Sequence, residues 1–152
     1  MNYKILNSRE KKEIMQQIEE QYDYSEKPDY VFLQKKDGKI YIINRDVEQI
    51  IDKRIYIDSM GLYFAEIDRF NELRISFEGS MIIGPFAKKN VAEINQESAR
   101  VWLKGEDIEI SDAKNLSGFV IVRHNNDYMG AGKIKDGKIS NFVPKTRRIL
   151  CD

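Results

Sequence analysis

The dipeptide Asp136-Gly137 lies between Tyr128-Met129-Gly130-Ala131-Gly132-Lys133-Ile134 and Lys138-Ile139, and it constrains this chain more than any other feature. Glycine takes the positive φ that a tight two-residue turn requires, so Asp-Gly between two strand-like runs predicts a β-hairpin. A further strand, Phe119 to Arg123, is bounded by Gly118 and joined to the hairpin by the polar turn His124 to Asp127. Gly130 and Gly132 stand two apart and therefore share one face of a strand. Glycine there costs entropy and fills no space, so the pair predicts a bend or the close approach of another backbone, of the protein or of a ligand.

The same turn chemistry recurs early. Tyr30 to Lys35 and Ile40 to Ile43 flank Asp37-Gly38 and form a second predicted hairpin. A helix is expected over residues 8–22, with Ser8 as its cap and Ile14, Met15 and Ile18 as its apolar stripe. Pro28 closes the loop that follows. Tyr22 and Tyr24 in that stretch can stack on bases or pack over a core edge. Residues 45–52 read as a second helix, and Ile55 to Ile57 and Gly61 to Ile67 as strands. This is a small mixed α+β unit.

Seven of eight tyrosines fall in the first 72 residues, and seven of nine glycines fall after them. That shift divides the chain into residues 1–72 and 73–152, with no Pro/Gly/Ser linker between, so the halves are expected to pack together. Leu73 to Ile83 alternates as a strand that passes Gly79 through a bulge. Val91 to Ile94 is a short strand, and Asn95 caps a helix over 96–103 that Gly105 ends. Residues 106–110 form another strand. Five or six short strands and one helix fit a small closed or partly closed barrel.

Hydrophobic residues make up 41% and charged residues 33%, an ordinary balance for a folded domain. No apolar run approaches the roughly 20 residues that span a bilayer, and the N-terminus lacks a signal-peptide core. The expected location is the cytoplasm, with no membrane partner. One cysteine, Cys151, and one histidine, His124, leave no cysteine–histidine metal site. Phosphate-loop, dinucleotide and nucleophile-elbow fingerprints are all missing. Neither a cofactor, a metal nor catalysis is expected. Trp102 sits in the helix stripe as a core residue.

Net charge is zero but divided, at −3 over residues 1–72 and +3 over 73–152. From Lys133 onward it is +4. A basic end is either a solvated tail or a footprint that attracts phosphates, and charge alone leaves both open.

The strand, the "GAGK" strand, the Asp-Gly turn and the basic ending Pro144-Lys145-Thr146-Arg147-Arg148 together resemble the last strands of a PUA domain. The likeness is to the C-terminal RNA-binding domain of Sun-type ribosomal RNA cytosine methyltransferases, and to small stand-alone archaeal PUA-domain proteins. It extends upstream through Glu78-Gly79-Ser80, Ile83-Gly84, Ala87-Lys88-Lys89-Asn90 and Gly105-Glu106-Asp107. It covers the second half of the chain well and the first half weakly. The methyltransferase domain of those enzymes is expected to be absent, because the chain is too short to contain it.

The resemblance implies a small α+β domain followed by a PUA-like β-barrel that binds structured ribosomal or transfer RNA. It points to ribosome biogenesis or RNA modification, beside a separate RNA-modifying enzyme or ribosome-assembly factor. Lys88, Lys89 and Asn90 would touch backbone or base, and Lys133, Lys145, Arg147 and Arg148 would hold phosphates. Two rival readings stay open. One is a protein-interaction module docking through the tyrosine-rich N-terminal half, which needs an exposed apolar-aromatic patch on residues 20–70. The other is a small-molecule or nucleotide-binding barrel with a deep pocket lined by Gly130, Gly132 and aromatics.

Overall fold

A computed structural model describes the chain over residues 3–44 and 61–149. The helix expected at 45–52, the strand expected at 55–57 and Cys151 lie outside the described residues.

Among the described residues the first sheet has five antiparallel strands in sequence order: β1 (Tyr3–Ile5), β2 (Tyr30–Lys35), β3 (Lys39–Asn44), β4 (Leu62–Ile67) and β5 (Leu73–Ile75). The β2–β3 hairpin turns at Gly38, whose φ is +93°. The short β1, which sequence patterning did not single out, adds itself to the edge of β2. Helix α1 (Ser8–Tyr22) has the expected span, but its cap is Asn7 rather than Ser8: Asn7 Oδ1 accepts from the Glu10 N–H at 2.9 Å. The Asn7 amide donates in turn to Glu10 Oε1 at 2.7 Å, a reciprocal lock on the first turn. Ile14, Ile18 and Tyr22 recur every four residues and are buried, so they fix the face that α1 turns to the sheet.

The strand expected over 73–83 is a strand and then a helix. It ends at Ile75, and α2 (Phe77–Ile83) follows at once. Ser76 makes the break. Its N–H donates to the Phe64 carbonyl at 2.9 Å, and its Oγ accepts from the Gly79 N–H at 2.8 Å. A Cβ on Gly79 would stand 2.2 Å from the Phe64 carbonyl oxygen, so that glycine lets α2 lie on β4 rather than forming a bulge. A short 3-10 turn, Gly84–Phe86, carries Pro85 and ends the segment.

The second sheet contains β6 (Val91–Glu93), β7 (Ile108–Glu109), β8 (Gly118–His124), β9 (Asp127–Lys135) and β10 (Lys138–Ser140), in the order β6-β8-β9-β10-β7. β6 runs parallel to β8, and the other pairs are antiparallel. The expected barrel is therefore an open ladder among the described residues, with β6 and β7 at its two ends. At the β9–β10 turn Asp136 and Gly137 have φ of +52° and +76°, the two positive values a type I′ hairpin demands. The β8–β9 register shifts between Ile121 and Arg123, opposite Gly130 at φ +86°. That bulge is the bend foreseen from the glycine pair.

Helix α3 (Gln96–Leu103) is capped by Asn95, whose Oδ1 accepts from the Ser98 N–H at 2.8 Å. It lays Trp102 across the second sheet. Trp102 is fully buried, and its Nε1–H donates to the Met129 carbonyl at 2.7 Å. Around it pack Ala99, Ile108, Val120, Val122 and Ile139.

Another cluster joins the two sheets, running from Ile14, Ile18 and Phe32 through Phe64 and Ile75 to Ile83, Ile121 and Ala131. The composition shift near residue 72 falls in the β4–β5 turn, and β5 beyond it still belongs to the first sheet. The two compositional halves therefore share apolar contacts directly.

Candidate nucleic-acid interface

Each expected RNA-contacting residue has a definite place. Lys88 and Lys89 follow the 3-10 turn, and both backbone N–H groups donate to the Tyr22 carbonyl at the end of α1, at 2.8 and 3.2 Å. That carbonyl has no partner within its own helix, so the lysines cap it. Their side chains are exposed, and Lys88 Nζ reaches Ser25 Oγ at 3.4 Å. Lys89 lines an open groove along α1 whose wall also carries Glu19, Glu20, Asp23 and Glu26. The lysine pair is thus set beside carboxylates rather than in a uniformly basic cleft.

Asn90, expected among the RNA contacts, is instead 6% exposed and structural. Its φ is +58°, a left-handed conformation that asparagine tolerates better than most residues. Its amide donates to the Gln21 carbonyl at 2.6 Å, and its Oδ1 accepts from the Ser117 N–H at 3.0 Å. Asn90 therefore ties the end of α1 to the loop before β8. Gln21 strengthens the same tie, its amide donating to the Ser117 and Phe119 carbonyls at 2.7 Å each.

The basic residues near the end of the chain divide three ways. Lys145 is exposed on a 3-10 turn, Lys145–Arg147. Arg147 pairs with Glu78 on α2 and lies over the Phe77 ring at 5.6 Å. Arg148 turns inward, donating from Nε to the Val143 carbonyl at 2.9 Å and covering Gly105, where a Cβ would meet its Nε at 2.4 Å. Lys133 projects from β9 to Glu72 Oε2 at 3.0 Å and stands 5.4 Å from the centre of the Phe119 ring.

Gly132 excludes the ligand reading of the glycine pair. A Cβ there would lie 2.3 Å from the Ser140 carbonyl oxygen, 2.4 Å from Ile139 Cγ2 and 2.7 Å from the Trp102 ring. Protein fills the space at Gly132, so the pocket that the small-molecule reading requires is not formed there. At Gly130 the backbone N–H donates to Ser80 Oγ at 2.7 Å, which fastens α2 to the bulge. Glu106-Asp107 is structural: Asn141 donates from its N–H to Asp107 Oδ1 and from its amide to the Glu106 and Trp102 carbonyls, at 2.7–2.8 Å.

The described tyrosines of the first half largely serve the fold. Tyr22 and Tyr24 are 1% and 3% exposed, so they pack rather than stack on bases. Tyr3, Tyr41 and Tyr63 form a ring-to-ring row across the first sheet, at 5.5 and 5.6 Å. Burial, with Glu66 beside it, pushes the Tyr63 phenol up to about 12. Phe70 and Leu62 are exposed in that half. On the second sheet, desolvation raises the Glu93 carboxyl. Hydrogen bonds from Arg123 and the Asn125 N–H outweigh it and leave the group below its ordinary value. His124 Nδ1 is 2.9 Å from the Ile94 carbonyl oxygen, a bond that fixes the end of β8.

Among the described residues no group of His, Cys, Asp and Glu could hold a metal, and no helix is long and apolar enough to cross a membrane.

Residues 89–149, from β6 and the turn before it to the basic end, match the methyltransferase RsmF PUA domain. This stretch is similar to a PUA domain. It resembles the C-terminal domain of Sun-type methyltransferases, as the strand and glycine pattern implied. Relatives along the chain agree. The ribosomal RNA small subunit methyltransferase F of Vibrio campbellii is 26% identical over 144 residues, covering 91% of this chain and 29% of the relative. That of Psychromonas ingrahamii is 24% identical over 116 residues, covering 74% and 24%. That of Aeromonas hydrophila is 28% identical over 107 residues, covering 70% and 22%. The chain therefore spans about a quarter of the length of these relatives. The Vibrio campbellii alignment reaches well upstream of the PUA domain, into the first sheet.

Proposed function

We propose that this protein binds structured RNA, ribosomal or transfer, in ribosome biogenesis or RNA modification in the cytoplasm, without catalysing a reaction itself. The match of residues 89–149 to a PUA domain named for a ribosomal RNA methyltransferase carries this reading. The exposed cations on and beside that domain support it: Lys88, Lys89 and Lys145, with Lys133 and Arg147 on carboxylate partners that a phosphate can replace. Arg148 contributes more to packing than to a phosphate, since its guanidinium lies on Gly105. Phosphate contacts position the RNA and supply most of the salt-sensitive affinity. An RNA-modifying enzyme or assembly factor is the proposed protein partner.

The site is tested with Lys88→Ala combined with Lys89→Ala. Both side chains are exposed, so the fold should survive. The double variant is expected to bind a structured ribosomal RNA fragment more weakly, with a salt slope lower by roughly 0.9 per lost duplex phosphate contact. An unchanged affinity and slope would remove the two lysines from the interface.

A further inference from the structure

A second feature lies where the two sheets meet. Phe142, just past β10, keeps 39% of its surface exposed although two partners already touch it. The Arg74 guanidinium of β5 lies over its ring at 4.4 Å, and Phe119 of β8 meets it edge-on at 6.0 Å. Lys133 of β9 stands 5.4 Å from the centre of the Phe119 ring. Two rings and two cations thus converge from β5, β8, β9 and the chain after β10, none of which is adjacent to all the others in sequence.

The two cations are held differently. Arg74 pairs with Glu66 in a setting where both side chains are less than a quarter exposed, so its guanidinium is fixed on the ring. Lys133 and Glu72 are 49% and 45% exposed. Such a pair is weak and readily exchanged. A phosphate arriving at Lys133 would displace one carboxylate and leave the aromatic surface intact.

We propose that this face binds one unpaired nucleotide of an RNA, with its base stacked at Phe142 and its phosphate on Lys133 in place of Glu72. The proposal rests on the RNA-binding reading above and adds a place and a preference to it. Base–aromatic stacking tolerates any base, because every base has a π-face, and a guanidinium already seated on the ring extends the stacking surface. The face should therefore favour an unpaired loop over a continuous duplex.

The test measures affinity for two RNAs, a hairpin with an unpaired loop and the same stem as a blunt duplex, across a salt series. Phe142→Ala should weaken hairpin binding roughly 5- to 150-fold, the range for loss of one stacked base, while leaving the salt slope unchanged. Lys133→Ala should lower the slope by about 0.7, the single-strand value per phosphate. Glu72→Gln should tighten hairpin binding by freeing Lys133, and Phe142→Trp should retain it, which guards against a folding artefact. Duplex binding should not respond to Phe142→Ala. Unchanged hairpin binding in Phe142→Ala, or equal losses on hairpin and duplex, would overturn the proposal. If Lys88→Ala with Lys89→Ala still weakens binding in that case, RNA binding stands and this face alone is lost. Failure of the unaltered protein to bind either RNA would overturn both.

Discussion

Replacing Asn90 by alanine should damage the fold and spare RNA binding. Three effects add in this variant. The Gln21 carbonyl loses its 2.6 Å donor, and the Ser117 N–H loses its 3.0 Å acceptor. Each group left unpaired costs about 1–3 kcal/mol, and the low end applies here because both sites are only partly buried. Alanine must also hold φ at +58°, at a cost of about 1 kcal/mol or a little more. The expected loss is roughly 3 kcal/mol, or about 10 °C in Tm for a chain of this size. Urea unfolding followed by the fluorescence of Trp102, the only tryptophan, measures it directly. Asn90→Gly accepts the left-handed backbone but restores neither hydrogen bond, so it should recover at most about 1 kcal/mol of the loss. Where Asn90→Ala is still folded, its RNA affinity should stay within about twofold of the parent, since buried Asn90 faces protein and contributes no phosphate contact. A loss below about 1 kcal/mol, or full recovery with glycine, would refute the account of Asn90 as a clamp between α1 and the loop before β8.

Other substitutions separate space from backbone conformation. Gly132→Ala should cost more than about 2 kcal/mol, because its Cβ would overlap the Ser140 carbonyl and the Trp102 ring. Gly130→Ala should cost only about 1 kcal/mol of strain, since the nearest atom is 3.5 Å away; equal losses in urea unfolding would contradict the packing described. Trp102→Phe should lose about 2–4 kcal/mol through the vacated volume and the unpaired Met129 carbonyl. In that variant the fluorophore is gone, so circular dichroism must follow unfolding. The Tyr63 phenol, raised to about 12 by burial, contributes stability that is complete below its unfolded value of 10.0 and is lost as pH climbs from there toward 12. Tyr63→Phe should therefore flatten the alkaline fall in stability over that window, and an unchanged alkaline profile would contradict the burial of its hydroxyl.

Much of the second sheet was legible because its turns carry their chemistry in the chain. Asp136-Gly137 demanded positive φ at both central residues and obtained it, and Asn95 and Gly105 marked both ends of α3. The segment after Ile75 was misread for an identifiable reason. Ile75 and Phe77 alternate like strand residues, while the deciding signals, Ser76 as a cap and Gly79 against the Phe64 carbonyl, depend on β4 lying beside them. The barrel was expected from the number of strands, but strand number does not fix closure, and the pairing leaves β6 and β7 as ends.

The candidate site was legible only as a set of cations. Sequence shows where lysine and arginine occur, but not that Asn90 is enclosed, that Arg148 covers Gly105 or that Lys133 meets Glu72. Arg74 and Phe142 carry no local signal at all, because their contact arises only when β5 comes against the second sheet. Ser80, Gln21 and Asn141 were missed for the same reason: each is a polar side chain whose partners are distant in sequence.

The most direct measurement of the central claim is equilibrium binding of the unaltered protein to a structured ribosomal RNA fragment across a salt series, with a DNA duplex of the same sequence as control. The account predicts affinity that falls linearly with the logarithm of salt concentration and binding to RNA that is tighter than to DNA at every salt. Equal affinity for both nucleic acids, or no RNA binding at low salt, would contradict it.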